Sequence, residues 1–444
     1  MKIVIAGAGE VGSHLAKLLS DEEQDIIVID DDPARVAPLD ANFNLMTVVG
    51  KPTSFDTQRD ANVAKADLFI AVTPYESTNI VACGIAKSLG ARKTVARVSH
   101  YGFMDPANKP TMLSMGVDRL IYPEYLAARE IITALDHSWV RNWFELHDGQ
   151  IILVGVRISD KAPLAGMQLK EFASNTGNFH VSAIRRNHET IIPRGDDRMM
   201  AGDVLYITTV RENVDRLIEL CGKTARRIRR VLIMGASKIA VRLIDMAGDR
   251  FRFTIIDNDI AACRKIPEKC PDAKIIHGDA RDMDILLEAG ADEADAFIAL
   301  SPSSESNILT TLTAKEIGIP KSVAEVEDMQ FIPQAEGLGI STVINKKLLA
   351  SSSIFQLLLD ADSSTSKCLA LSDAEVAELE VRPGAKITRA AVKDLRLDRS
   401  MTLAGLIRDG HGQLITGNTV IQPGDRVLLF CLLGSLRKVE KLFG

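Results

Sequence analysis

Several features that mark other classes of protein are missing from this sequence. The six cysteines form no CxxC pair and no metal-ligand cluster, so neither a disulfide framework nor a zinc site organises the chain. The longest apolar run near the chain end, residues 427–433, is far shorter than the roughly 20 residues of a spanning helix. No cleavable signal is recognisable, because Lys2 leads directly into an apolar strand. These absences predict a cytoplasmic protein with buried, reduced cysteines.

The charge balance shows no large excess of either sign. The formal net charge is −6, with 46% hydrophobic and 25% charged residues, which is typical of a soluble globular protein. A mildly acidic chain gives no reason to expect nucleic acid as a partner. The length of 444 residues suggests more than one domain.

The first thirty residues predict a strand, a glycine-rich loop, a helix and a second strand. The apolar run at residues 3–6 ends at Gly7, which would form a tight turn. Gly9 would let the backbone approach a diphosphate, and Gly12 would let the helix pack on the strand. Asp30 ends the second strand, where a carboxylate accepts hydrogen bonds from ribose hydroxyls and repels a 2′-phosphate. The pattern favours NAD(H) or an adenine nucleotide over NADP(H). The alternative is a Rossmann-like turn that keeps its glycines only for packing.

Strand and helix patterns alternate from the N-terminus to residue 124, which predicts a parallel, doubly wound sheet. Residues 141–222 have a different character, with short strands joined by turn signals such as Gly202-Asp203. This stretch predicts a small α+β module.

The whole pattern is repeated along the chain. Gly7 has its counterpart in Gly235, 228 positions later, and Gly202 in Gly424, 222 positions later. We therefore predict an α/β protein with tandem Rossmann-like doubly wound parallel sheets, each followed by a small α+β C-terminal module. The expected domains are residues 1–124, 140–224, 228–347 and 365–444.

The two copies differ in the glycine loop. Ser237 replaces Gly9, which would hinder close approach of a diphosphate, and Ala240 replaces Gly12. The second copy is either a nucleotide site or a structural pseudo-domain that keeps the fold and supplies subunit contacts. The residues of a possible second site are Gly235, Ala236, Ser237, Lys238, Ile239 and Asp257.

These motifs resemble the RCK (regulator of potassium conductance) family. The resemblance lies in the loop GAGEVG at residues 7–12, the segment ADLFIAVTPYESTNIVACGIAKSLG at residues 66–90, the strand VARV at residues 95–98, and the trailing small domain. Over nearly the whole chain, the doubled arrangement is similar to the NAD-binding regulatory subunits of Trk-type potassium uptake systems.

The resemblance implies a regulator and not an enzyme. Such a subunit assembles as a ring, here expected as a homotetramer, and docks on the membrane potassium-translocating subunit of the Trk type. It would lie in the cytoplasm, peripheral on the inner face of the membrane through that partner. Its ligands would be NAD(H), with ATP or ADP as alternative ligands of the same pocket.

The resemblance also implies roles for particular residues. Thr73 and Asn79 match positions that line the pocket, although both also fit as caps, and Arg97 ends a strand from which it could reach a phosphate. Asp30 matches the ribose-binding acid. The implied cofactor-binding residues are Gly7, Ala8, Gly9, Glu10, Val11, Gly12, Asp30, Thr73, Asn79 and Arg97.

Two positions distinguish the pockets further. The counterpart of Arg97 in the second copy is Glu325, so the two pockets should differ in charge preference. Lys51 stands where the family often has an acid, whereas Asp279 in the second copy keeps it. The adenosine side of the first pocket is therefore less well defined.

Other interpretations of the sequence remain open. An NAD-dependent oxidoreductase would need a positioned proton donor, but His14 and His100, the histidines nearest the cleft, have no partner recognisable in the sequence. A stand-alone soluble redox sensor would bind nucleotide without a membrane partner. The basic run at residues 223–230 is either a solvated linker or a surface that meets acidic groups of a partner. Apolar residues in the helix starting at Pro123 and in residues 346–359 are expected to pack across domains or subunits.

Overall fold

The computed structural model describes residues 1–20, 24–146, 149–176, 178–187, 189–359, 368–371, 374–432 and 435–444. Over these residues, no helix is both long and apolar enough to cross a membrane. The chain forms two compact units, one of Met1–Ala127 with Lys346–Asp362 and one of Ala128–Asn345 with Ser363–Gly444. The four expected domain ranges remain a proposal, and the boundary at residue 365 lies outside the described residues.

A parallel six-stranded sheet forms the centre of the first unit. Its strands are ordered 3-2-1-4-5-6 in chain numbering, so the order reverses between the first and fourth strands. The carboxyl ends of the strands at such a point open the crevice where α/β proteins bind ligands. The elements are β1 (Lys2–Ala6), α1 (Glu10–Ser20), β2 (Asp25–Asp30), α2 (Pro33–Asn42), β3 (Met46–Val49), α3 (Phe55–Asp60), β4 (Leu68–Ala71), α4 (Glu76–Leu89), β5 (Lys93–Arg97), α5 (Lys109–Ser114), β6 (Arg119–Ile121) and α6 (Pro123–Asp136), with the unit boundary inside α6.

The sequence explains why this sheet is central. Both β1 and β4 are apolar runs without alternation, and from Ile3 to Ala6 every side chain is fully buried. Continuous apolar strands are typical of parallel sheets covered by helices on both faces. Helix α4 ends at Gly90, whose φ of 117° is a left-handed conformation that favours glycine.

The second unit contains a small antiparallel sheet. Its strands are ordered 10-9-11-8-7. The elements are β7 (Asn142–Leu146), β8 (Ile151–Arg157), α7 (Leu169–Thr176), β9 (His180–Arg186), β10 (Glu189–Ile191), β11 (Val204–Thr209) and α8 (Val214–Leu220).

A second parallel six-stranded sheet follows, with the same order as the first, 14-13-12-15-16-17. Its elements are β12 (Arg230–Met234), α9 (Lys238–Ala247), β13 (Arg252–Asp257), α10 (Ile260–Lys265), β14 (Lys274–His277), α11 (Met283–Glu288), β15 (Ala296–Ala299), α12 (Ser304–Ile317), β16 (Lys321–Glu325), α13 (Ile332–Gly337) and β17 (Thr342–Ile344).

The last segment repeats the small module. Its strands are ordered 18-19-22-20-21. This is the order of the first module read from its opposite edge, 7-8-11-9-10, with each strand of one module corresponding to one strand of the other. The elements are α14 (Lys346–Leu359), β18 (Cys368–Leu371), β19 (Ala374–Glu380), β20 (Met401–Arg408), β21 (His411–Leu414), β22 (Arg426–Leu432) and α15 (Leu436–Phe443). The predicted tandem fold is confirmed.

The repeated Gly-Asp turns have a structural reason. Asp203 is buried and accepts two hydrogen bonds from the Arg186 guanidinium, at 2.8 and 2.7 Å. Asp425 and Arg408 make the same two contacts at the same distances in the second module. The two modules also share one apolar core, in which the rings of Tyr206 and Phe430 lie 5.6 Å apart.

Helix α14 belongs to the first unit although it follows the second parallel sheet in the chain. It packs on α1 and β6, and Ile354 on it is fully buried. On α6, Ile131 and Leu135 are buried as well. Ile131, Leu135 and Ile354 are among the apolar residues that we expected to pack across domains or subunits. All three are buried by contacts within one chain.

Candidate functional site

The glycine loop between β1 and α1 is held by close backbone contacts. Gly7 has a φ of 112°, and a Cβ there would lie 3.0 Å from the Thr73 nitrogen. A Cβ on Gly12 would lie 1.8 Å from the Gly7 oxygen, far inside van der Waals contact. Both positions therefore require glycine for the loop to close against the end of β4.

Gly9 differs from the other two glycines. A Cβ at Gly9 would meet no atom within 4 Å, so packing does not require glycine there. Without a side chain, Gly9 cannot cap α1, and the open space beside it adjoins the start of that helix. The first N–H groups of a helix attract anions through their hydrogen bonds and the helix dipole. This arrangement suits the diphosphate of a nucleotide.

Asp30 holds this loop as well as ending β2. Its Oδ2 atom accepts a 2.6 Å hydrogen bond from the Ala8 N–H, and its Oδ1 atom accepts one of 3.0 Å from Asp32. The carboxylate is 5% exposed, and each of its oxygens has a further lone pair available. Asp30 is thus placed at the crevice with its orientation fixed by the backbone.

The second loop repeats the acid but not the open helix end. Asp257 accepts a 2.6 Å hydrogen bond from the Ala236 N–H, as Asp30 does from Ala8. Ser237, however, is the N-cap of α9, and its hydroxyl accepts from the Ala240 N–H at 3.3 Å. In the second copy, the Ser237 hydroxyl therefore already accepts a hydrogen bond from a helix N-terminal N–H group, which in an open helix end could bind an anion.

Asn79 uses its whole hydrogen-bonding capacity inside the protein. Its Oδ1 accepts from the N–H and the hydroxyl of Thr73, at 2.9 and 2.7 Å. Its Nδ2 donates to the carbonyls of Thr73 and Arg97, at 3.0 and 2.9 Å. Two acceptor and two donor contacts are all that an amide offers. Asn79 therefore positions Thr73 and Arg97 at the crevice and has no hydrogen bond left for a ligand.

The second copy has the same set of asparagine hydrogen bonds, but the strand end that they hold carries a residue of opposite charge. Asn307 bonds Ser301 and the Glu325 carbonyl in the way that Asn79 bonds Thr73 and Arg97. The strand end next to the crevice therefore carries a cation in the first copy and a 4% exposed acid in the second. An anionic ligand is favoured by the first arrangement and disfavoured by the second.

The acid at Asp279 is already engaged within the second copy. The Arg281 guanidinium donates to Oδ1 at 3.0 Å and to Oδ2 at 2.6 Å, and these bonds hold the pKa of Asp279 below its usual value. In the first copy the equivalent acid is replaced by the exposed Lys51. Neither copy therefore offers an unpaired carboxylate at this position.

Two contacts at the first crevice were not predicted. The Nδ1 atom of His100 lies 2.5 Å from the Glu76 carboxylate, which also accepts from the Ser99 N–H at 2.8 Å. Burial opposes ionisation of Glu76, but the hydrogen bonds from Ser99 and His100 outweigh it and lower its pKa. The other contact joins Glu10 in the loop to Lys347 on α14, at 2.7 Å. These partners are 24 and 337 positions apart, so no local pattern indicates them.

His14 is the other histidine that the sequence places near the first crevice. Burial, and then the charge of Lys17, lower the pKa of His14, whose Nε2 atom has no hydrogen-bond partner in the described part of the chain. The lowered pKa favours the neutral form of this half-buried imidazole. Among the described residues, no group of His, Cys, Asp or Glu is arranged to hold a metal ion.

Comparison with known protein families finds two domain models, each of which matches two segments of the chain. The model of the TrkA-N domain matches residues 3–123 and 231–346, and that of the TrkA-C domain matches residues 153–222 and 376–444. The chain is similar over its full length to the Trk system potassium uptake protein TrkA of Azorhizobium caulinodans, with 27% identity and 98% of that protein covered. A TrkA homolog of Archaeoglobus fulgidus is 28% identical, with both chains fully covered.

Solved structures show the same fold. The GsuK channel bound to NAD matches with a TM-score of 0.61 and 18% identity, covering 100% of this chain and 78% of the channel. GsuK bound to ADP matches with a TM-score of 0.50 and 15% identity, covering 81% of this chain and 70% of the other.

Proposed function

Because the chain belongs to the family that combines TrkA-N and TrkA-C domains, we propose that it is a nucleotide-sensing regulatory subunit of a potassium uptake system. The relatives that it matches over its full length are named potassium uptake proteins, and a solved structure with the same fold is that of a channel bound to NAD. In this proposal the protein binds nucleotide without transforming it and changes the activity of a membrane partner.

The observation that carries the proposal is the open end of α1. Gly9 leaves space where a diphosphate would contact the first N–H groups of the helix, and Asp30 holds the loop through Ala8. The proposed ligands are NAD(H), with ATP or ADP competing for the same pocket, because all share an adenosine diphosphate portion. The proposed contacts are the loop at residues 7–12, Asp30, Thr73 and Arg97, with Asn79 as a positioning residue.

The second copy is proposed as the weaker site. Ser237 already caps α9, and Glu325 places a carboxylate where the first copy has Arg97. Both differences act against an anionic ligand.

We further propose a homotetramer that docks on the potassium-translocating subunit of a Trk-type system, and a location at the inner face of the membrane through that partner. A regulator of this kind needs two ring conformations with different nucleotide affinities, because a ligand that binds both equally shifts nothing. NADH and ATP would then favour different ring shapes.

An NAD-dependent oxidoreductase is the rival function, and the pair of His100 and Glu76 favours it most. Such a pair could exchange a proton with a substrate. The His100 side chain, however, is 68% exposed, and Glu76 is engaged by the Ser99 backbone. Loss of NADH absorbance in the presence of small carbonyl substrates, abolished by His100→Gln, would establish this rival.

The test of the proposed function uses the intact assembly. The chain is expected to co-purify with a Trk-type membrane subunit from gently solubilised cells, which would also exclude a stand-alone redox sensor. In reconstituted vesicles, NADH and ATP are expected to change potassium flux to different extents. Equal flux with either nucleotide and with neither would contradict the proposal.

A further inference from the structure

A basic cavity lies inside the second unit, away from both nucleotide loops in the sequence. Its volume is about 270 Å³, and it is formed where the first small module, the connector after α8 and the second parallel sheet meet. Five cationic side chains line it: Arg141 before β7, Arg157 at the end of β8, Lys223 and Arg226 in the connector, and Lys321 at the start of β16.

The charge inside the cavity is unbalanced. Among the described residues that line it, none is an acid, although the chain as a whole has a formal net charge of −6. Two carboxylates lie near these cations: Glu336, which is shared by Arg185 at 2.9 Å and Arg141 at 4.0 Å, and Glu130, whose charge acts on Lys321. Five cations therefore line one space, and the two carboxylates beside it do not balance their charge. Like charges gathered in a partly desolvated space repel one another, and a bound anion relieves this repulsion.

Some of these cations have a structural role, and others do not. Arg141 donates to the carbonyls of Glu336 and Ile340, and Arg157 donates to the Glu336 carbonyl at 3.3 Å, so both stabilise the end of α13. Arg157 has donors beyond this one contact. The amine of Lys223 has no hydrogen-bond partner in the described part of the chain. The remaining donors of Arg157 and the amine of Lys223 are therefore available to a ligand, whereas the other donors stabilise the end of α13.

The titration behaviour agrees with the geometry. Burial lowers the pKa of Lys223, and the charges of Arg157 and Arg141 lower it further. Lys321 is 1% exposed and donates to the Val140 carbonyl and the Thr342 hydroxyl, at 3.1 and 3.2 Å. Burial, and then the charge of Arg141, lower its pKa to about 7. Burial and the neighbouring arginines therefore make both lysines harder to protonate than free lysines.

We propose that this cavity binds a small anion that carries at least two phosphate groups. Arginine forks and lysine ammonium groups are the side chains that proteins use for phosphate, and five of them exceed what a single carboxylate needs. The site is separate from the nucleotide loops, and the proposal is independent of the proposed function. It also gives the basic run at residues 223–230 a role other than that of a solvated linker.

The test is calorimetric titration of the full chain with inorganic pyrophosphate and triphosphate in magnesium-free buffer. Lys223→Gln is expected to weaken binding at this site at least about tenfold, the effect of losing one charged hydrogen bond. Lys223→Arg, which keeps the charge, should retain binding. Lys161→Gln, the same change at an exposed lysine outside the cavity, is the matched control and should leave binding unchanged.

Two further readouts make the result decisive. Binding is expected to weaken as the potassium chloride concentration rises, because charge dominates the interaction. NADH affinity should be the same in Lys223→Gln and the unchanged chain, which separates this site from the first pocket. No heat with either anion at millimolar concentration, or equal binding by Lys223→Gln and Lys161→Gln, would overturn the proposal.

Discussion

The Asp30 carboxylate accepts a 2.6 Å hydrogen bond from the Ala8 N–H, so the acid that ends β2 also sets the position of the glycine loop. The same contact joins Asp257 to Ala236 in the second copy. One carboxylate thus links the two parts of the proposed nucleotide site, the loop proposed for the diphosphate and the strand end proposed for the ribose. Both copies have this hydrogen bond. They differ at the helix N-terminus, which Ser237 caps in the second copy and which Gly9 leaves without a side-chain cap in the first.

The first prediction concerns this acid. In Asp30→Asn, one of the two oxygens that accept backbone N–H groups becomes an NH₂ group, which cannot accept. We expect NADH affinity to fall about tenfold or more, and the preference for NADH over NADPH to shrink because the repulsion of the 2′-phosphate is lost. Fluorescence titration with both dinucleotides measures this, with Asp257→Asn as the matched control in the second copy. Unchanged NADH affinity in Asp30→Asn would show that the acid does not support the site.

A second prediction concerns assembly. Val81 on α4 and Leu309 on α12 occupy equivalent positions in the two copies and are 50% and 64% exposed. We expect these two matched apolar residues to lie at contacts between chains of the proposed tetramer. Light scattering should give a mass near four times the 48.4 kDa of one chain. Leu309→Glu should lower that mass, whereas Val420→Glu, the same change at another exposed apolar residue, should not. A monomeric mass for the unchanged chain at micromolar concentration would refute the tetramer.

A third prediction uses the buried histidine of the first small module. Burial lowers the pKa of His180 from 6.5 to about 4, and its Nε2 atom lies 3.1 Å from the Thr402 hydroxyl on the other module. The unfolded chain binds the proton at higher pH than the folded one. The neutral imidazole therefore contributes stability above pH 6.5 that is lost as the pH falls towards 4, by about 3 kcal/mol.

Denaturant unfolding of His180→Gln measures this contribution. Its stability should fall less between pH 6.5 and 4 than that of the unchanged chain, since glutamine does not titrate. His411→Gln, at an exposed histidine in β21, should follow the unchanged chain. Parallel pH profiles for all three chains would show that His180 is not held neutral by the fold.

The architecture could be predicted because it depends on local patterns that occur twice. Apolar runs that end in glycine, together with a constant offset between Gly7 and Gly235, define the strands, the loops and the duplication. The position of Asp30 at the crevice follows from the same pattern, since the carboxyl ends of parallel strands meet at one edge, whereas its hydrogen bond to the Ala8 N–H was not predicted.

Other features depend on contacts between distant segments. Lys347 reaches Glu10, and the connector at Lys223 joins Lys321 at one cavity, across separations that no periodicity encodes. The role of Asn79 is a different case. Its position was predicted, but whether its amide faces a ligand or the backbone is decided by the geometry of Thr73 and Arg97.

The central claim is that the first copy is the nucleotide site because its helix end is open, whereas the second copy caps its own. A Cβ at Gly9 would meet no atom within 4 Å, so the side chain in Gly9→Trp would occupy this open space. Ser237→Trp is the matched change in the second loop. Circular dichroism verifies that both chains stay folded. The decisive measurement is the calorimetric stoichiometry of NADH. We predict that Gly9→Trp abolishes high-affinity binding and that Ser237→Trp retains it. Loss of binding in Ser237→Trp, with binding intact in Gly9→Trp, would contradict the account.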